Sequence, residues 1–242
     1  MTRRNISLGL LLLLVVAALI ADFAGGTAAP ILSGARTALV LVVVSGGLCV
    51  AIGVPLGAIA GASSRSADAL LARAVELTGT LPVLVVAAVV VSWSGEGSLL
   101  RLAICLGLLR SIELARLLRG EVQRVATEDF VLATRALGAS TLWTLQRHVL
   151  PHCRRPVLVN LALSAAYVVA VEAGLSFLGL RSEPTFPSWG QLLSPGFEGP
   201  LGIRLAAAGA ALSLTGSLLS LAQWTSDSTN PRLRLEGARA SG

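Results

Sequence analysis

Residues 128–151 read EDFVLATRALGASTLWTLQRHVLP. Val131, Leu132, Leu137, Leu142, Trp143, Leu145, Val149 and Leu150 recur at roughly helical spacing, with arginines and acids between them. Gly138 interrupts the run where a glycine permits a tight bend or a close backbone approach. Pro151 and Pro156 follow, and both resist helix continuation. The pattern predicts two short amphipathic helices bent at Gly138 and ending where the next apolar run begins. Such a polar, basic segment is out of keeping with the chain around it.

That chain is 54% hydrophobic and only 13% charged, with a mean hydropathy of +0.78. Soluble domains carry about 25% charged residues, so the composition predicts an integral membrane protein. The formal charge is +6, and every basic residue is arginine. A basic balance can signal nucleic acid. Here the arginines flank apolar spans instead, as membrane orientation requires, and no nucleic-acid partner is expected.

Six apolar stretches approach the roughly 17–25 residues that cross a bilayer: 6–24, 37–61, 75–93, 98–118, 157–180 and 201–224. Arg101, Arg110, Glu113 and Arg116 interrupt the fourth. With the N-terminus inside, most arginines fall on inner segments. Arg36 and Arg181 lie outside, with Arg101 and Arg204 near outer span ends. The positive-inside rule then places both termini in the cytoplasm. The opening MTRRNISLGLLLLLVVAALIADFAGG is similar to a secretory signal, and its Arg pair to a twin-arginine signal. The longer apolar run and the spans that follow favour an uncleaved first helix.

On this topology the bent segment lies inside, between the fourth and fifth spans. It is either an interfacial helix on lipid or a knob for a groove in a partner protein. Periodicity alone does not choose.

The pattern of residues does. The segment resembles the cytoplasmic signature of ABC-importer permeases: Glu-Ala-Ala, three residues, Gly, nine residues, Ile, one residue, Leu-Pro. Ala133, Gly138, Leu150 and Pro151 stand at matching places, while Leu132, Thr134 and His148 replace the glutamate, the second alanine and the isoleucine. EAGLSFLGLRSEPTFPSWGQLL at 172–193 resembles the EASLSFLGLG…P…PSWG segment of the dipeptide/oligopeptide/nickel branch. ARLLRGEV at 115–122 and GARTAL at 34–39 match it too, with a weaker trace in NPRLR near the C-terminus. The resemblance covers about residues 34–193.

The resemblance implies an all-α type I ABC-importer permease fold of about six transmembrane helices in a bacterial inner membrane. Residues 1–30 would form the first helix and a short external loop, 31–228 the permease core with a coupling loop at 119–156, and 229–242 a cytoplasmic tail. It further implies a second homologous permease, two ATPase subunits and an extracytoplasmic substrate-binding protein. Ala133, Thr134, Arg135, Leu137, Gly138, Ala139, His148, Leu150 and Pro151 would form the ATPase-coupling element. The cargo would be a peptide, nickel or a related small solute. A transport-inactive scaffold with the same fold is the alternative. The family usually has a longer first external loop with a glycine-arginine-aspartate motif, reduced here to DFAGGTAAPILSGAR, and an acidic stretch before the tail.

The chain is not expected to be its own motor. A phosphate-cradling G-x-x-x-x-G-K-[ST] loop needs its lysine, and there is none. ATP and magnesium would sit on partner subunits, and no cofactor or metal is expected here. His148, His152 and Cys153 invite a zinc reading, which Pro151 disfavours by interrupting a regular helix. Cys49, Cys105 and Cys153 suggest packed thiols rather than disulfides. GLSFLG is not a nucleophile elbow, its second glycine coming one residue late, and no catalytic set supports a membrane enzyme.

Charges within spans usually face a partner or a polar cavity. Arg110, Glu113 and Arg116 follow at i,i+3 steps and can neutralise one another; Arg110 and Glu113 are candidate pathway residues, as is Glu172 in the fifth span. Outside, Pro187, Ser188, Trp189 and Gly190 form an external loop, with Trp189 expected as an interfacial anchor.

Overall fold

The computed structural model describes residues 29–62, 65–94, 99–180 and 187–227, with single positions at 9, 12 and 16. Among them the chain is helical, joined by short turns. The expected first span at 6–24 and the tail at 229–242 fall essentially outside these residues.

Helix α1 (Ala29–Ala62) has 34 residues, about 51 Å at 1.5 Å per residue, more than the bilayer core of about 30 Å. It starts before the expected residue 37. Pro30 sits in its first turn, where the missing N–H has no intrahelical partner to lose, so residues read as loop are helical. Helix α4 (Leu99–Ala126) packs along it. A Cβ on Gly53 would stand 2.8 Å from the Ser111 carbonyl oxygen, and one on Gly57 2.6 Å from that of Ala115. One on Gly107 would stand 2.9 Å from the Ser45 carbonyl oxygen. Small residues let backbones in a membrane meet this closely. Contacts 45–107, 53–111 and 57–115 advance together, so α1 and α4 run parallel.

Parallel neighbours require the chain between them to return. It does so in two pieces, α2 (Arg65–Thr80) and α3 (Val83–Ser94), bent by 79°. One straight span at 75–93 was expected; the break falls at Leu81-Pro82 because proline disfavours helical backbone in the residue before it and has no N–H to give. Leu71 and Val75 of α2 pack with Ala60 and Ala115. Ala87 and Val91 of α3 pack with Leu41, Leu99 and Leu102 towards the other end of the bundle.

Among the described residues, three helices are long and apolar enough to cross a membrane, at Ala29–Ala62, Thr141–Phe177 and Leu201–Thr225, or four with the bent pair. Helix α4 fails that test through its charges, although its 28 residues extend about 42 Å. Its Leu102, Leu106, Leu114 and Leu118 are wholly buried. Of the four charges that interrupt it, Arg110 is shielded by neighbouring helices, as a charge in a span tends to be, while Glu113 is half open and Arg101 and Arg116 are exposed.

After α4 come α5 (Asp129–Ala136), α6 (Thr141–Thr144) and a π-helical turn at Leu145–Val149. This turn leads directly into α7 (Leu150–Phe177). The second surface helix was expected to end at the prolines, with a new span at 157. Instead helix is continuous from Thr141 to Phe177. Pro151 cannot bond back to Arg147, and its ring would crowd that carbonyl in a regular turn; a wider π turn sits just there, as such bulges do where the α ladder is interrupted. Short α8 (Trp189–Leu193) and α9 (Leu201–Asp227) complete the described chain.

The two ends of the bundle are distinct. At one, Trp189 and Leu192 pack with Ala35, Ala207 and Val169. At the other, Val131, Val149 and Cys153 pack with Ala58, Leu118, Val122 and Val125. The bent segment and the 187–193 turn therefore lie at opposite ends, in the relation the topology required.

Candidate functional site

At the arginine-rich end, α5 closes in a Schellman motif. The Gly138 N–H donates to the Arg135 carbonyl at 2.9 Å and the Ala139 N–H to that of Thr134 at 3.3 Å. The motif needs a left-handed residue, and Gly138 has φ +86°, which an L side chain adopts only with strain. Ser140 then caps α6, its hydroxyl accepting from the Trp143 N–H at 3.3 Å. The bend at Gly138 and the short helix before it are as the sequence predicted; the helix after it is the start of the long continuous one.

The pair has a locked side and a bare side. Val131, Thr144, Val149 and Cys153 are buried, with Leu150 packed against the same cluster as Leu118 and Ala58. Leu137 is 90% exposed, and Phe130, Leu132, Leu142 and Trp143 are exposed around it. Ala133, Arg135 and Pro151 are exposed; Thr134, Ala139 and His148 are half-buried. The Thr134 hydroxyl donates to the Phe130 carbonyl at 2.7 Å. Pro151, lying between them, was expected to keep His148 and His152 from presenting both rings on one face of a regular helix. Because the helix continues through the proline, both gather at Phe130, with ring centroids 6.5 and 5.0 Å away. Among the described residues, no group of three or more His, Cys, Asp and Glu could hold a metal ion.

A second constellation lies within the bundle. Arg110 pairs with Glu113 on α4, as its i,i+3 spacing suggested, while Arg116 is exposed outside that pair. Arg110 also reaches α7: its Nε donates to the Ser164 hydroxyl at 3.0 Å, and its guanidinium lies 5.0 Å from the Tyr167 ring centroid. The Ser164 hydroxyl is 3.4 Å from Asn160 Oδ1. Sequence reasoning missed Asn160, Ser164 and Tyr167. Their i, i+4, i+7 spacing in an apolar span was the available signal. The Arg110 side chain is 13% exposed and that of Glu113 46%, so the pair is shielded on the arginine side and open on the carboxylate side. Glu172, about two turns beyond Ser164, is buried and accepts from the Ser176 hydroxyl at 2.7 Å.

At the opposite end, Ser188 caps α8 and accepts from the Gln191 N–H at 3.3 Å. Trp189 is no interfacial anchor: it is 3% exposed, and its Nε1–H donates to the Ile31 carbonyl at 2.9 Å. Its ring fills the space that a side chain at Gly34 would need, and Gly190 lies directly against the Ala173 backbone. The Pro187 carbonyl accepts from Ser33 at 3.5 Å. The turn is thus a plug joining α1, α7 and α9.

Residues 53–234 match the family described as binding-protein-dependent transport system inner membrane component. A Brucella ovis protein provisionally named a peptide permease is 36% identical over 163 residues, covering 67% of this chain and 54% of that protein. The di/tripeptide transport system permease protein DppC of Pseudomonas aeruginosa is 33% identical over 164 residues, covering 68% and 54%. The dipeptide transport system permease protein DppC of Bacillus subtilis is 30% identical over 163 residues, covering 67% and 51%. The chain spans about half the length of these curated relatives.

Proposed function

The chain belongs to the binding-protein-dependent transport system inner membrane component family, and on that premise we propose that it is a permease subunit of an ATP-driven peptide importer. The relatives carry peptide names, so short peptides, rather than nickel, are the proposed cargo. A second permease completes the pathway, two ATPase subunits bind at the arginine-rich end, and a binding protein delivers cargo at the opposite end. Both termini lie in the cytoplasm. This chain binds no cofactor of its own in the reading; ATP and magnesium belong to the partner ATPases.

One observation carries the reading. An exposed apolar cap of Leu132, Leu137 and Leu142 stands on a backbone bend fixed by Gly138, while its inner side is locked to α4 and α1. Clustered exposed apolar side chains mark an interaction surface. The bend seats in an ATPase cleft, and closure of the ATPases presses on it. Because α6 runs through the π turn into α7, the push travels along a continuous rod that carries Asn160, Ser164, Tyr167 and Glu172. The helices then rock between two packings, a rigid-body transition. Glu113, half open beside the shielded Arg110, would face the pathway, and no covalent step occurs in this chain.

The test is co-expression with the neighbouring ATPases and permease, followed by mild-detergent purification. The wild type is expected to retain ATPase stoichiometrically and Leu137→Glu to lose it while keeping the second permease. A wild-type complex that holds permease but no ATPase would favour a transport-inactive scaffold.

A further inference from the structure

Next to the surface helices, the arginine-rich end carries a groove of about 530 Å³ that the apolar cap does not occupy. Arg124, Glu128, Phe130, His152, Arg154 and Arg155 line it. Arg124 is held by Glu121 at 3.0 Å and Glu128 at 3.3 Å. Arg154 and Arg155 are exposed, and among the described residues neither enters an ion pair. The groove therefore keeps two uncompensated guanidinium groups. His152 lies beside them, its Nδ1–H donating to the His148 carbonyl at 2.6 Å and its ring against Phe130.

Arg124, His152 and Arg155 also line a second crevice, of about 270 Å³, whose remaining walls are Leu117, Glu121, Pro156, Val159 and Thr225; Glu121 is paired with Arg124 at 3.0 Å. The two spaces share residues and so adjoin. Together they form a cationic mouth beside a slot between α4, α7 and α9 that has an apolar wall of Leu117, Pro156 and Val159, where apolar spans give way to polar chain. A soluble anion could use the mouth but would have no use for the slot. An amphiphile with a phosphate head uses both.

We infer that this composite groove binds an anionic phospholipid, its phosphate on Arg154 and Arg155 and an acyl chain along Leu117, Pro156 and Val159. Guanidinium matches phosphate oxygens in bidentate geometry, and basic pockets between membrane helices on the inner side bind such headgroups. The inference rests on this end facing the anionic inner leaflet, not on ATPase coupling.

The test is equilibrium binding of phosphatidylglycerol and of phosphatidylcholine to the purified full chain in neutral detergent, with inorganic phosphate as competitor. Phosphatidylglycerol is expected to bind more tightly than phosphatidylcholine. R154Q/R155Q should weaken it about thirty-fold, the weight of two arginines towards an anionic headgroup. The charge-matched R73Q/R147Q should leave it within about three-fold. Val159→Trp, which fills the slot and keeps every charge, should also weaken lipid binding, a second test should the double arginine variant misfold. Equal affinity for the two lipids, equal loss in both double variants, or displacement by inorganic phosphate would overturn the inference; the last would make the mouth a soluble-anion site. None of these readouts involves an ATPase, so failure here is distinct from failure of the coupling role.

Discussion

Gly57→Ala adds one methyl where α1 meets α4. Its Cβ would stand 2.6 Å from the Ala115 carbonyl oxygen and 2.9 Å from the Leu118 Cβ, against an ordinary contact beginning at 3.4 Å. Restoring that contact to Ala115 requires a retreat of 3.4 − 2.6 = 0.8 Å. The obstructing atom is backbone, so no rotamer change relieves it and the two helices must separate. Overpacking of this kind costs about 1–3 kcal/mol. Separated helices in a membrane stay helical, so alanine's better helix propensity offsets little of it. A chain of this size loses about 2–4 °C per kcal/mol, which gives a fall in Tm of roughly 2–12 °C. The assay is thermal unfolding in mild detergent, followed by tryptophan fluorescence. The control is Gly46→Ala on the same helix, where nothing lies within 4 Å of the added Cβ, with an expected change within about 0.5 kcal/mol. If G57A melts with G46A, the close parallel packing of α1 on α4 is wrong.

Trp189→Ala removes a buried ring and its bond to Ile31 and should destabilise by about 3–5 kcal/mol, read as a fall in Tm far beyond that of Trp93→Ala, whose ring is exposed. Arg110→Gln should cost more than Glu113→Gln, since Arg110 also holds Ser164 and Tyr167; the difference, about 1–2 kcal/mol, is read in the same unfolding assay. Gly138→Ala forces a side chain into the left-handed region at about 1–2 kcal/mol, and hydrogen exchange should quicken across residues 129–144 while that of α4 is unchanged. Cys153, buried at the foot of α7, should react with a water-soluble maleimide at least about ten-fold more slowly than a cysteine placed at exposed Leu137, because burial of a thiol suppresses its reactivity.

The bend at 138 was legible because glycine, the caps and the helical period all act locally. The two ends of the bundle were legible from arginine placement alone. Proline was read too simply. Pro82 does break a span, whereas Pro151 and Pro156 sit within a helix whose π turn absorbs the first of them, a tertiary accommodation that no local preference reports. Helix α4 looked doubtful as a span because of its charges, and of these only the shielding of Arg110 depends on residues far off in the chain, Ser164 and Tyr167. Trp189 was assigned to the interface from its amphipathic ring, while the space that buries it is made by Gly34, more than 150 positions away in the chain. The Arg110 cluster was half visible, since the i,i+3 pair lies on one helix and its partners Ser164 and Tyr167 lie on another.

The coupling role is tested most directly by placing a cysteine at Leu137 in a chain with Cys49, Cys105 and Cys153 replaced by serine or alanine. The assembled complex would be treated in the membrane with a short bifunctional thiol–amine reagent. A crosslink from position 137 to the ATPase is expected, with a yield that changes when ATP is bound. A label at position 137 that never reaches the ATPase, and is instead quenched by lipid-soluble reagents, would contradict it and leave the 128–151 segment a helix pair lying on lipid.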